Sequence, residues 1–79
     1  MIHKIDLHGL SHSEAVSKVE TELISISLTS NYQVEIITGK SKPMKDKIIQ
    51  EVLGPQNFCY YIPPNNIGMI IVCDDDLFS

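Results

Sequence analysis

Two glycines in the first half of the chain each lie between a short β-type segment and a segment with helical character. Gly9 follows residues 2–7, and Gly39 follows residues 33–38. Between these strands, residues 13–28 carry apolar side chains at steps of three and four, as in an amphipathic helix. A strand–helix–strand unit of this length is almost always a right-handed parallel crossover. We therefore expect the two strands to be neighbours, with both glycine turns at the same end of the sheet.

The rest of the chain predicts one more helix and a hairpin. A helix over residues 43–53 ends at Gly54 and Pro55, which suit a helix C-terminus. Residues 58–62 and 68–73 are β-type segments joined by a loop rich in proline and asparagine. Because residues 68–73 are apolar on both faces, we place that strand inside the sheet and residues 58–62 at an edge. The predicted element order is βαβαββ.

The composition is that of a folded domain. Hydrophobic residues make up 43% of the 79 residues and charged residues 20%, which is typical of globular and not of disordered chains. No apolar run approaches the roughly 20 residues that cross a bilayer, and residues 1–4 lack the apolar core of a signal peptide. We expect a single domain over residues 1–79, located in the cytoplasm and without a membrane partner.

The two cysteines, Cys59 and Cys73, fall in the two strands of the predicted hairpin. The predicted register offsets them by two residues from direct opposition. Diagonal partners in a sheet have Cα atoms about 7–8 Å apart, which is too far for an unstrained disulfide. We therefore expect two reduced thiols that are structural and do not bind metal.

Charge is distributed unevenly along the chain. The net charge is −4, which argues against coating nucleic acid by bulk electrostatics. However, four of the six cationic residues, all lysines, lie between Lys40 and Lys47, where only Asp46 opposes them. This segment is net positive and the remainder is net negative. A small domain of this kind can still present one positive face to phosphates.

The segment Ile5-Asp6-Leu7-His8-Gly9-Leu10 carries the first candidate chemistry. Asp6 and His8 are two residues apart, so an extended strand would point both to the same side of the sheet. A carboxylate beside an imidazole can fix the tautomer of the ring. Ser11 and Glu14 have the spacing of a capping box, which brings a helix N-terminus to the same place. The alternative is that Asp6 only accepts hydrogen bonds within the turn.

These segments also resemble a known family. Asp6-Leu7-His8-Gly9-Leu10-Ser11, followed later by Ile37-Thr38-Gly39-Lys40-Ser41, resembles the two motifs of the Smr (small MutS-related) domain. The resemblance extends over the second helix and the closing strand. It implies an α/β fold, specifically an α+β two-layer sandwich similar to the C-terminal domain of bacterial translation initiation factor three. In that fold, both helices cover one face of a mixed four-stranded sheet in the order 1-2-4-3.

The resemblance also implies nucleic-acid binding and, in several members, endonuclease activity on DNA or RNA. Asp6 and His8 match the first motif, so they are the implied catalytic residues for phosphodiester hydrolysis. Asp6 is also a candidate ligand for Mg²⁺ or Mn²⁺, although one carboxylate needs phosphate oxygens to complete such a site. The residues assigned to nucleic-acid or phosphate binding are Gly9, Thr38, Gly39, Lys40, Ser41, Lys42 and Lys45.

Two other functions stay open at this point. Ser41 stands where the second motif normally has its second glycine, and the sequence contains no arginine. Both departures favour a non-catalytic module that only binds RNA or DNA, since lysine contacts a phosphate as a point charge and not as a bidentate fork. A protein–protein module is the third option, because a two-layer fold leaves one sheet face without helices for a protein partner to cover.

Overall fold

The computed structural model describes residues 2–29 and 31–74, and its elements follow the predicted βαβαββ order. The strands are β1 (Ile2–Asp6), β2 (Gln33–Ile37), β3 (Cys59–Tyr61) and β4 (Met69–Cys73). The helices are α1 (His12–Ile26) and α2 (Lys42–Ile48), and a π-helical turn (Ile49–Leu53) continues α2. No helix in this described part of the chain is long and apolar enough to cross a membrane.

The four strands form one mixed sheet in the order β1-β2-β4-β3, as the family resemblance implied. β1 and β2 are parallel, whereas β4 is antiparallel to both of its neighbours, β2 and β3. The predicted interior position of the last strand is therefore confirmed. Because β1 and β2 run in the same direction, their C-terminal ends meet at one end of the sheet.

The hydrophobic core lies between one face of the sheet and the two helices. Ile5, Ile36 and Ile70 are aligned across β1, β2 and β4 and are buried on this face. α1 packs against them through Ala15, Val19 and Leu23, and α2 with its π-helical turn packs through Met44, Ile48, Val52 and Leu53. Burial of each such aliphatic side chain stabilises the folded state by about 1.5–3 kcal/mol. Because both helices pack on the same core, they cover the same face of the sheet, and the fold is a two-layer sandwich.

Local hydrogen bonds determine where α1 begins and ends. The Ser11 hydroxyl accepts from the backbone N–H of Glu14, and the Glu14 carboxylate accepts from that of Ser11, each over 3.2 Å. The predicted capping box is thus confirmed. At the other end, Ser27 and Thr29 donate their hydroxyls to the carbonyls of Ile24 and Ile26. Such bonds compete with helix propagation, so α1 stops at Ile26 and not at the predicted residue 28.

The hairpin register differs from the prediction. Cys59 lies directly opposite Cys73, so the expected offset of two residues was wrong, although both thiols are free as expected. The observed register would place Pro63 and Pro64 opposite Met69 and Gly68, and proline has no N–H with which to extend β3. β4 begins at Met69, and the Gly68 carbonyl accepts hydrogen bonds from the β2–α2 turn. The connecting loop is therefore longer than predicted.

Candidate nucleic-acid interface

The two glycine turns lie side by side at the C-terminal ends of β1 and β2. Asp6 is paired with Ile37, and the next N–H, that of Leu7, donates to the Ile37 carbonyl over 3.1 Å. Leu7 and Thr38 therefore come directly after the ends of the two adjacent strands, and His8 and Gly39 follow them. The predicted convergence of the two sequence motifs at one end of the sheet is confirmed.

The first turn spans residues 7–10. Leu10 donates its backbone N–H to the Leu7 carbonyl over 3.1 Å, and Gly9, at the third position, has a φ of 80°. A positive φ at this position is the requirement of a type II turn and favours glycine. A Cβ built on Gly9 would meet no atom within 4 Å. Gly9 is thus needed for the backbone conformation, and the space beside it is open to a ligand.

The Asp6 carboxylate contacts the backbone of His8. Its Oδ1 accepts a hydrogen bond from the His8 N–H over 2.9 Å. This is the kind of contact expected if Asp6 accepts hydrogen bonds within the turn. β1 ends at Asp6, so His8 lies in the turn and the same-side argument for an extended strand does not apply. Within residues 2–29 and 31–74, no hydrogen bond joins the Asp6 carboxylate to the His8 ring. Asp6 thus positions His8 through the main chain, and both residues are exposed.

Lys18 is a member of this region that sequence reasoning did not identify. Its Nζ donates to the main-chain carbonyl of Asp6 over 3.3 Å, so a cation on α1 lies at the end of β1. The spacing of residues along α1 could have indicated this position of Lys18. Lys18 is four residues after Glu14, which caps the same helix beside the first turn, and residues four apart share a helix face.

The second turn is held in place by the loop between β3 and β4. The backbone N–H groups of Thr38 and Gly39 both donate to the Gly68 carbonyl over 2.9 Å. The Thr38 hydroxyl lies 3.2 Å from the same oxygen and 3.2 Å from the Gly39 carbonyl, so its single hydrogen is shared between these two acceptors. Gly39 has a φ of 66°, which explains the glycine of the second motif. The Thr38 hydroxyl, assigned from the sequence to phosphate binding, therefore fastens a distant loop to the turn.

Ser41 acts as the N-cap of α2. Its hydroxyl accepts from the backbone N–H of Met44 over 3.2 Å, and its φ of −80° is available to any residue. The absence of the second motif glycine therefore causes no backbone strain. Capping occupies one lone pair of the Ser41 hydroxyl, so its predicted contact with a phosphate would come from the remaining hydroxyl hydrogen.

The lysines of the cationic segment differ in their partners. Lys42 pairs with Asp46 over 3.0 Å and Lys47 with Glu51 over 2.8 Å. Lys45 donates to the main-chain carbonyl of Ile67. Among residues 2–29 and 31–74, neither a salt bridge nor a hydrogen bond engages the exposed ammonium of Lys40, which makes it the most available cation of this segment. Exposed ion pairs contribute little, so Lys42 can exchange Asp46 for a phosphate at small cost.

The β3–β4 loop forms a third side of the interface that the sequence did not predict. Gly68 contacts the second turn, and Lys45 reaches the carbonyl of the preceding residue, Ile67. Asn66 Oδ1 accepts from the Gly68 N–H over 3.1 Å and so shapes the loop. The side chain of Ile67 is 61% exposed next to these polar groups. An apolar surface is therefore available beside Lys45.

The titratable groups of the interface do not form a metal site by themselves. No group of three or more His, Cys, Asp or Glu side chains that could hold a metal ion occurs within the described residues. Asp6 supplies a single carboxylate at the first turn, and one of its two oxygens already accepts a hydrogen bond from the His8 N–H. This donor set does not fit a protein-held divalent cation, which takes several oxygen ligands.

Comparison with known proteins agrees with the geometry. The family model of the Smr domain matches residues 5–57, a span that contains both turns, α1 and α2. Comparisons with curated proteins and with solved structures gave no match. The matched span is more than half of the chain, and the sheet order is the one that the resemblance implied. This chain belongs to the Smr domain family.

Proposed function

We propose that this Smr domain binds DNA or RNA at the end of the sheet formed by the two turns and hydrolyses a phosphodiester bond there. The observation that carries the proposal is the convergence of Asp6 and His8 with Gly39 and Lys40 at the point where two adjacent parallel strands end. An exposed imidazole and an exposed ammonium at one place are the minimum for cutting a phosphodiester, because one moves a proton and the other attracts the anion.

Lys40 is the main phosphate contact in this proposal. It is exposed, it follows the positive-φ Gly39, and no described residue competes for its ammonium group. Lys42 and Lys45 add positive charge on the adjoining α2. The N-terminus of α1 lies next to the first turn and contributes the positive end of a helix dipole. These contacts recognise the negative charge of the phosphate backbone, which DNA and RNA share, so both are candidate substrates.

His8 carries the proton transfer in this proposal. Its ring takes a proton from the attacking water, or returns one to the leaving oxygen, while Lys40 balances the charge on the phosphate. The products are a phosphate monoester and a free hydroxyl. Asp6 acts as a positioning residue, since its Oδ1 holds the backbone of His8. Because the described side chains at the two turns do not form a metal site, no step is assigned to a bound cation.

A non-catalytic binding module is the second candidate, and one observation favours it. The Asp6 carboxylate is engaged in the turn, and no described hydrogen bond orients the ring of His8. The same surface would then contact phosphates through Lys40 and its neighbours without cutting. Binding of a protein partner to the sheet face without helices is a further proposal, which rests on the two-layer fold alone.

The test is incubation of the purified protein with labelled single- and double-stranded DNA and RNA, with and without Mg²⁺ or Mn²⁺. Cleavage that His8→Ala abolishes supports the nuclease. Binding without cleavage under every condition supports the binding module. Absence of both binding and cleavage for all four nucleic acids contradicts the proposal.

A further inference from the structure

Cys59 and Cys73 are brought together on the sheet face that the helices do not cover. The register pairs Cys59 directly with Cys73 across β3 and β4. Val72 is fully buried in the core between sheet and helices, so Cys73, the next residue in the strand, points to the opposite face. A directly opposed residue shares that face, which places both thiols on the same side of the sheet.

Direct opposition gives the two cysteines a spacing that a disulfide can bridge. Opposed residues in an antiparallel pair have Cα atoms about 4.5 or 5.5 Å apart, depending on the hydrogen-bond pattern. Disulfides join Cα atoms about 4.4–6.8 Å apart. Both spacings lie inside this range. The bond therefore needs rotation of the side chains and no change of register.

The two thiols differ in accessibility. Cys73 is 5% exposed, and burial together with the nearby Cys59 raises the pKa of its thiol. It is therefore held protonated and out of reach of reagents. Cys59 is half-buried and lies on β3, a three-residue strand at the edge of the sheet. A reagent in solution thus meets Cys59 first.

We propose that Cys59 and Cys73 are a reversible dithiol–disulfide site that reacts with low-molecular-weight disulfides such as glutathione disulfide. The Cys59 thiolate attacks one sulfur of the reagent, which forms a mixed disulfide and releases one glutathione. Cys73 then loses its proton to solvent, and its sulfur attacks Sγ of Cys59, which releases the second glutathione. Two cysteine thiols are oxidised to one disulfide, and one glutathione disulfide is reduced to two thiols.

The bond would close a loop that contains the Gly68 contact. The hairpin between the two cysteines carries Ile67 and Gly68, whose carbonyls accept from Lys45 and from the second turn. Cross-linking stabilises mainly by restricting the unfolded chain, and a loop of about 15 residues is long enough for a clear effect. Oxidation should therefore raise the melting temperature, by roughly 5 °C or more for a domain of this size.

The test exposes the purified chain to mixtures of reduced and oxidised glutathione and follows intact mass and melting temperature. The expected result is a monomer that has lost two hydrogens, a peptide linking Cys59 to Cys73, a higher melting temperature and full reversal by a dithiol. Three results would each overturn the proposal: a lasting glutathione adduct on the wild type, a disulfide-linked dimer, or unreacted thiols at the most oxidising ratio.

Two single variants test the order of the steps. Cys73→Ser should accumulate the mixed disulfide at Cys59, because the resolving sulfur is gone. Cys59→Ser should react far more slowly and form no adduct at the buried Cys73. Since Cys59 is only half-buried, its variant is expected to fold even if the change at Cys73 disturbs packing. Equal reactivity of the two remaining thiols would contradict the assigned order.

Discussion

Thr38 and Gly68 are joined by two hydrogen bonds, one from the Thr38 N–H at 2.9 Å and one from its hydroxyl at 3.2 Å. Both bonds end on the Gly68 carbonyl, which belongs to a loop far from Thr38 in the sequence. The second motif is therefore not a self-contained turn. It is shaped by the β3–β4 loop, which brings Ile67 to the proposed interface.

Replacing Thr38 tests this contact. Thr38→Val keeps the shape but removes the hydroxyl, and the lost hydrogen bond should lower the free energy of unfolding by about 0.5–1.5 kcal/mol. Thr38→Ser retains the donor and is the matched control, with a smaller loss expected. Chemical denaturation of the three proteins provides the measurement. If Val and Ser prove equally stable, the hydroxyl contributes nothing to the attachment of the loop.

Loss of the His8 ring should affect cleavage and not binding. We expect His8→Ala to lower the cleavage rate by about 10²–10⁴-fold, because general acid–base catalysis acts in the transition state. Affinity for the same nucleic acid should change little. His12→Ala is the matched control, since His12 is also exposed but begins α1 outside the turn. Equal losses in both variants, or a loss of affinity in His8→Ala, would assign His8 another role.

Variants of Asp6 should separate its hydrogen bond from its charge. Asp6→Asn retains an acceptor for the His8 N–H, whereas Asp6→Ala removes it. We expect the Ala variant to lose about 0.5–1.5 kcal/mol of stability and most of the cleavage, and the Asn variant to stay close to wild type in both. Denaturation and cleavage assays measure the two effects. A stable but inactive Asn variant would show that the negative charge takes part in the reaction.

The lysines should differ in their effect on the salt dependence of binding. Removing one phosphate contact reduces the slope of log K against log[salt] by about 0.7–0.9. We expect this reduction for Lys40→Ala. Lys47→Ala is the control, because the Lys47 side chain is 38% exposed, against 83% for Lys42, and pairs with Glu51, so its slope should stay near that of wild type. Titrations at several salt concentrations give the slopes. Equal slopes in the two variants would remove Lys40 as a specific contact.

The Glu14 cap should make stability depend on pH in a defined direction. Hydrogen bonds from the Ser11 hydroxyl and then the Ser11 N–H lower the pKa of Glu14 below its usual 4.5. The charged form therefore stabilises the folded state above pH 4.5, and this contribution disappears as the pH falls through the lowered pKa. Glu14→Gln keeps the capping geometry without the charge. Its melting temperature should lie below wild type at neutral pH and converge with it in acid.

Element order, the parallel β1–β2 pair and the capping box of α1 could be predicted from the sequence because each depends on local patterns. The spacing of apolar residues, the positions of glycines and the spacing of capping residues can each be recognised within a few residues of sequence. The interior position of β4 followed from its apolar composition on both faces. The sheet order came from the family resemblance, and the structure agrees with it.

The hairpin register and the partners of the site residues could not be predicted, since they depend on contacts between distant segments. Gly68 continues the β2–β4 pairing as far as Thr38, and no pattern within residues 58–73 indicates this partner. Likewise, the use of Asp6 Oδ1 by the His8 backbone depends on β1 ending one residue earlier than predicted. The roles proposed for Asp6, His8 and Lys40 stay predictions.

β3 pairs with the rest of the sheet over three residues, whereas β1 and β4 each pair with β2 over five. A short edge strand has few ladder bonds to lose, so it belongs to the part of a protein that opens at low free energy. The domain thus combines a rigid centre, which holds both sequence motifs, with an edge that can detach by local unfolding. Detachment would separate Cys59 from Cys73, while β1, β2 and β4 and the contact of Gly68 with Thr38 remain in place.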